Sequence, residues 1–304
     1  MTHPVSFSIP SHKFVCAIPT KSKLLSSLIP GDLNTYIYST ETEYYAEYQR
    51  SAFALTKIKG GWDCLRHYEI VANGAIPYFV NFEALPPKTM ANWPRELQSA
   101  ANKLYERLHI KYPSNIFAEL STEEQAECTT LAKEFLEYGR LHLNSKTAAR
   151  CVLEQSGHAS AKKILYLSGI SLPEYLHSLT LLGFKELLGN ATHDFPKAAY
   201  LYTDDQTPLH TYYGKGMTYG HILNPELHDT TLDTTLLQDI QDHYYDVVIY
   251  GCLHWGVPFL EQIRNSYMDS EIIFMCGDDL GTCAMSPGGV RHPNFGHMFM
   301  REII

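Results

Sequence analysis

The sequence predicts an α/β protein built as two parallel-sheet halves with a helical connector. Three observations predict it. Short apolar runs alternate with helix-period segments over residues 1–110 and again over 161–304. The runs at 164–167, 247–250 and 272–276 are apolar throughout, as strands buried on both faces are. Residues 111–160, between the halves, read as helix.

In the first half, residues 14–18 and 35–39 read as strands, separated by the turn signal Ile29-Pro30-Gly31-Asp32. A helix over 41–50 leads to a strand over 53–56, then to the basic loop Lys57-Ile58-Lys59-Gly60-Gly61. Residues 62–73 form a helix that Gly74 ends, because glycine takes the left-handed conformation of a C-terminal cap. A strand over 76–80 follows, with Pro77 placing it near an edge. Residues 94–156 are mostly helical. Ser121 and Glu124 make a capping box ahead of Leu131, Phe135 and Tyr138, and Asn144 or Ser145 caps a further helix that stops at Gly157. In the second half, strands are expected at 164–167, 199–202, 247–250 and 272–276. Helices are expected at 173–188, closed by Gly189, and from Asp233 or Thr234 to 244.

At 45% hydrophobic and 19% charged residues, the chain of 304 residues is no disordered polymer. A net charge of −9 argues against a nucleic-acid partner, which needs a basic footprint. No run of 18 apolar residues and no signal-peptide pattern is present, so a cytoplasmic location is expected. Seven scattered cysteines with no C-x-x-C pair read as buried free thiols. No metal site is expected from them.

Ligands of open α/β sheets bind beyond the carboxyl ends of the strands. Those ends carry Lys57, Lys59, Gly60 and Gly61 in the first half. In the second half they carry Ser168-Gly169, Asp204-Asp205, Cys252 with His254, and Asp278-Asp279. Arg66, Glu69 and Asn73 share one side of the helix over 62–73, the helix that also carries Asp63 and His67. Glycines before that helix would let backbone N–H groups meet an anion, and Arg66 could grip a phosphate with two bonds. The same residues also fit an ordinary amphipathic helix with an Arg66–Glu69 surface pair. Gly214-Lys215-Gly216-Met217-Thr218 fails the spacing of a P-loop. His292 and His297 fit exposed loop residues better than a metal pair, and His177 fits a structural role.

The stretch Glu69-Ile70-Val71-Ala72-Asn73-Gly74-Ala75-Ile76-Pro77-Tyr78 resembles the donor-site helix of GT-B glycosyltransferases. The wider block over 53–77, with Ser6-Phe7-Ser8-Ile9-Pro10, is similar to glycosyltransferase-like proteins with an exostosin-like region. Ile164 to Gly169, Tyr213 to Thr218, and Cys276-Gly277-Asp278-Asp279 resemble the other Rossmann-like half of such proteins. The resemblance implies two Rossmann-like halves, a nucleotide-sugar donor and a glycan or other hydroxyl acceptor. It makes Glu69 the ribose ligand and Gly74 the helix end. Lys57, Lys59, Gly61, Arg66, His67 and Asn73 complete the donor side, with Asp278, Asp279 or Asp63 as the catalytic acid or base. No cofactor is expected, and Mg2+ is left open. Three features depart from the pattern. Retaining enzymes carry an acid eight positions before the ribose Glu, where this chain has Gly61. The chain is short for two complete halves. The donor half comes first, which suggests circular permutation or halves paired in a homodimer, with the end at 299–304 running on into Pro4-Val5-Ser6-Phe7. The alternatives are a non-catalytic nucleotide- or sugar-binding module and a degenerate scaffold.

Overall fold

In the computed structural model, which describes residues 1–279 and 294–303, every paired strand runs parallel to its neighbours. Strand β1 is Thr2–Pro4, β2 Lys23–Leu25, β3 Ser51–Thr56 and β4 Ile76–Phe79. Strand β5 is Ile164–Leu167, β6 Thr192–Phe195, β7 Val247–Tyr250, β8 Ile272–Cys276 and β9 His297–Met300. They form a three-stranded sheet in the order β2-β3-β4 and a six-stranded sheet in the order β1-β9-β8-β7-β5-β6. The helices are α1 Glu41–Gln49, α2 Leu65–Ala72, α3 Arg95–Lys111, α4 Thr122–His142, α5 Ser145–Gln155, α6 Tyr175–Leu188, α7 Thr230–Gln241 and α8 Leu260–Ser266.

The large sheet turns on β5, because β6 lies on one side of it and β7 on the other. Strands leaving in opposite directions open a crevice at their carboxyl ends. One core runs from Phe53 and Phe79 of the small sheet to Ile164 and Ile249 of the large one. A second core covers the opposite face of the large sheet, where Leu165 and Val248 meet Leu236 and Ile240 of α7. Helices α5 and α6 touch backbone to backbone: a Cβ on Gly183 would lie 2.0 Å from the Ser145 carbonyl oxygen. Among the described residues, no helix is long and apolar enough to cross a membrane.

The capping box of Ser121 and Glu124 forms, Asn144 caps α5, and Gly74 has a φ of +67°. Several elements differ from expectation. Residues 14–18 are loop, with Phe14 and Ile18 packed against the core without strand pairing: Val15 donates its N–H to the Ala72 carbonyl at 2.9 Å, and Phe14 fills the space beside Gly139. Residues 33–35 form a short turn capped by Asp32, so the first strand of the small sheet is β2 instead. Residues 199–201 are a single tight turn, and the missed strand is β6. Helix α7 is capped by Asp229 and ends at Gln241. Strand β1 joins the large sheet, with Thr2 beside Met298 and Pro4 beside Met300. The two terminal segments therefore lie side by side and parallel, rather than one running on into the other. The cysteines also differ: Cys16 is an exposed free thiol, and Cys276 is disulfide-bonded. His292 lies outside the described residues, while His297 sits 3.1 Å from the His3 ring.

Candidate functional site

A cleft of about 780 Å³ opens between the two sheets. One wall comes from the loops before and after β3 and from the start of α2. The other comes from the carboxyl ends of β5, β7 and β8 and from the segment around Tyr213. Tyr36, Tyr38, Tyr44, Tyr175 and Tyr213 supply its aromatic surface. Such rings offer flat apolar faces with a polar tip, suited to a base or a sugar.

The cations gather on the small-sheet side. Lys59 is exposed at the rim. Arg66, on the first turn of α2, donates from Nε to the Tyr36 hydroxyl at 3.1 Å. Burial works against its charge, but a guanidinium keeps its proton at any physiological pH, so Arg66 stays charged. Two helix N-termini reach the cleft, and they differ. Cys64 at the start of α2 makes no side-chain cap, so the first N–H groups of that helix have no capping side chain. At the start of α6, Glu174 accepts from the N–H groups of Leu176 and His177 at 3.0 and 2.6 Å. An anion therefore finds donors at α2, whereas α6 already holds a carboxylate.

On the facing wall, His254 Nδ1 lies 3.2 Å from Asp278 Oδ1, and both side chains are partly exposed to the cleft. Cys252 Sγ approaches the same ring at 3.3 Å. Asp279 is engaged differently, pairing with Arg301 at 2.6 Å.

Arg301 joins the halves. It is 2% exposed and donates to the Gly277 carbonyl at 2.8 Å, to the Asp63 carbonyl and to the Asp279 carboxylate. Beside it, Glu302 accepts from the Asp63 N–H at 3.0 Å. Burial pushes the Asp63 carboxyl up to about 7, against the pull of Arg301 and the bonds from the Phe7 N–H and the Tyr68 hydroxyl. Gly61 has a steric reason to be glycine: a Cβ there would lie 2.2 Å from Glu302 Oε1. The space beside Gly61 is thus filled by the Glu302 carboxylate.

A second link crosses at Glu69. Its carboxylate accepts from the Tyr44 hydroxyl at 2.8 Å and from the Thr218 hydroxyl at 2.5 Å, and burial raises its pKa. Thr218 reaches it with a φ of +77°, a conformation that costs a β-branched residue about 1–3 kcal/mol. The Glu41 carboxylate on its N–H and Tyr45 on its hydroxyl hold it there.

The structure thus brings Lys59, Gly61, Arg66, Glu69, Asp63, Asp278 and Asp279 to one cleft. Each oxygen of Glu69 already accepts one bond from within the protein. Lys57, His67, Asn73 and Gly74 do not line the cleft. His67 is fully buried between Thr56 and the Trp62 carbonyl, which pushes its pKa down to about 3. Asn73 donates to the Glu69 carbonyl and accepts from Gln49, and Gly74 packs against Pro19. These residues shape α2 from behind. Sequence reasoning missed Arg301, Glu174, Lys215 and the tyrosines, because no local spacing links positions so far apart. The excess of tyrosine, 21 residues, was the one available signal.

No protein-family model matches the chain, and neither does any curated protein or any solved structure.

Proposed function

We propose that the chain is a glycosyltransferase that moves a sugar from a nucleotide-sugar donor to a hydroxyl acceptor. The observation that carries this reading is the division of the cleft: cations and an uncapped helix start on one wall, a His–Asp pair on the other, and tyrosines between. Arg66, Lys59 and the N–H groups of α2 bind the diphosphate, and a tyrosine face takes the base. In the reaction, the acceptor oxygen bonds to the anomeric carbon as the bond from that carbon to the phosphate oxygen breaks. The electron pair leaves with the diphosphate, which Arg66 and the helix start stabilise. His254 takes the hydroxyl proton, and Asp278 orients the ring and supports its charge. Asp279 is the weaker candidate base, since its carboxylate is held by Arg301.

A second reading is a module that binds a nucleotide or sugar without turnover. The observation favouring it is that Asp63 and Glu69 are both committed to bonds within the protein.

The test is a thermal-shift panel of nucleoside diphosphates and nucleotide sugars, with and without Mg2+. A ligand at one hundred times its Kd adds about 2.7 kcal/mol to stability. One nucleotide family should raise Tm, and Lys59→Ala and Arg66→Ala should each remove most of the rise. No shift with any of them at millimolar concentration would overturn the transferase reading and the nucleotide-binding form of the second. A shift without release of nucleoside diphosphate, across a panel of glycan acceptors, would favour the binding module.

A further inference from the structure

Away from the cleft, two histidines and an aspartate converge at the outer edge of the large sheet. Strand β6 is the last strand of that sheet, and its successive side chains point to opposite faces. His193 faces α7, where its Nε2 lies 2.9 Å from Asp233 Oδ1 and its Nδ1 lies 2.7 Å from the Tyr245 hydroxyl. Asp194 faces α6 and pairs with Lys185 at 2.9 Å. His228, from the loop before α7, spans the strand edge. Its Nε2 lies 3.0 Å from Asp233 Oδ2 and its Nδ1 lies 3.1 Å from Asp194 Oδ1.

We propose that His193, His228 and Asp233 bind one divalent transition-metal ion of the zinc class, through the two Nε2 atoms and the carboxylate, with solvent as the fourth ligand. Four features carry the proposal. The three ligand atoms lie within 4.8 Å of one another. Bonds of about 2.0–2.1 Å in a tetrahedron set ligand atoms about 3.3 Å apart, so the 2.9 and 3.0 Å pairs, one to each carboxylate oxygen, open by a few tenths of an ångström while the two ring nitrogens close from at most 4.8 Å. Imidazole and carboxylate together suit a borderline ion such as Zn2+. Each imidazole also has a partner on its other nitrogen: Tyr245 for His193 and Asp194 for His228. Such outer partners hold the proton on Nδ1 and leave a bare Nε2 for a metal. Asp194 is itself fixed by Lys185, by the Tyr202 hydroxyl at 2.7 Å and by the Ala198 N–H at 3.0 Å. Finally, the two rings are 1% exposed while Asp233 is 31% exposed, so the ion enters past the carboxylate and keeps one face to water.

The ion ties the first turn of α7 to the edge of the sheet, and none of its ligands lines the cleft. The site is therefore independent of the proposed donor chemistry.

The test uses the whole chain, stripped with chelator and titrated with Co2+ and then Zn2+. One equivalent of Co2+ should give the visible absorption of a tetrahedral site, and Zn2+ should bleach it. Zn2+ should also raise the Tm of the stripped protein. Asp233→Asn and His228→Gln should each weaken Zn2+ binding by about 100-fold or more. Tyr245→Phe, which keeps the packing, should weaken it by about 10-fold without changing the stoichiometry. The chain has 15 histidines, so adventitious binding must be separated. Absence of the Co2+ band and of a Zn2+-dependent rise in Tm overturns the proposal. Affinity unchanged in Asp233→Asn or in Tyr245→Phe overturns it equally, even if His228→Gln fails to fold.

Discussion

The two sheets are held by different forces. Strands β5 and β7 of the large sheet are buried at every position and carry only Ile, Leu, Val and Tyr. The small sheet and its helices bury Glu47, Ser51, Thr56, Asp63, His67, Glu69 and Asn73. Apolar burial is non-directional and spread over many atoms, so β5 and β7 at the centre of the large sheet do not hang on any one polar contact. Buried polar groups depend on individual partners, and an unmet one is costly. The partners of Asp63 and Glu69 include Phe7, Arg301, Glu302 and Thr218, which come from outside the small sheet. The half that carries the proposed donor residues thus takes part of its geometry from the other half. A few bonds across the cleft decide the shape of the site.

The sharpest way to break that dependence is Arg301→Ala. It leaves two buried carbonyls and two carboxylates without their cation, and removing one partner from a buried charge cluster costs about 3–5 kcal/mol. Urea unfolding should show the loss. Nucleotide binding by whatever protein remains folded should weaken as well, because Arg301 sets the separation of the walls. A loss below 1 kcal/mol would mean that the halves are independent.

A smaller effect is expected at Thr218→Val. The shape is kept while Glu69 and Tyr45 lose a hydroxyl partner, for about 1–3 kcal/mol. If Thr218 does latch the segment that carries Lys215 and Met217, proteolysis near residue 217 should speed up in this variant. An unchanged rate would remove Thr218 from the comparison.

The smallest effect is in the pH dependence of stability, where two residues of the small half pull in opposite directions. Asp63 ionises near 7 when folded but near its ordinary value when unfolded. Between those limits the folded state binds the extra proton, so stability falls as pH rises from about 4 to about 7. His67 titrates near 3 when folded, so below about 6.5 the unfolded state binds the extra proton and stability rises with pH. The two slopes oppose each other between about pH 4 and 6.5. His67→Gln should uncover the downward slope of Asp63, measured as the free energy of unfolding across that range. A profile identical to that of the native chain would contradict the assignment of His67.

The large half was the more legible in sequence, for the same reason that it is the sturdier. A run such as Ile164-Leu165-Tyr166-Leu167 has one place to go, the middle of a parallel sheet. Strand β6 escaped because Thr192-His193-Asp194-Phe195 is half polar, and its buried His193 and Asp194 are matched by Lys185, His228 and Tyr245 from distant positions. Residues 14–18 erred the other way, since a short apolar run serves a packed loop as well as a strand. In the site, Lys59 and Arg66 were readable because a helix and the loop before it are local. Arg301 was not, since 238 positions separate it from Asp63. His67 and Asn73 lie on the same helix as Arg66 but on its inner side, a distinction that depends on what packs behind it.

The pairing of β1 with β9 also has a consequence for the order of events on the ribosome. Thr2 cannot find its neighbour until Met298 has been synthesised, and Asp63 waits as long for Arg301. Contacts so distant along the chain are slow to form. The small sheet, whose strands lie within residues 23–79, can assemble early, but Asp63 stays without these partners until Arg301 and Glu302 have been made. The cleft therefore takes shape late, and a nascent chain halted before Arg301 would hold Lys59, Asp63 and Arg66 without the residue that joins the two walls.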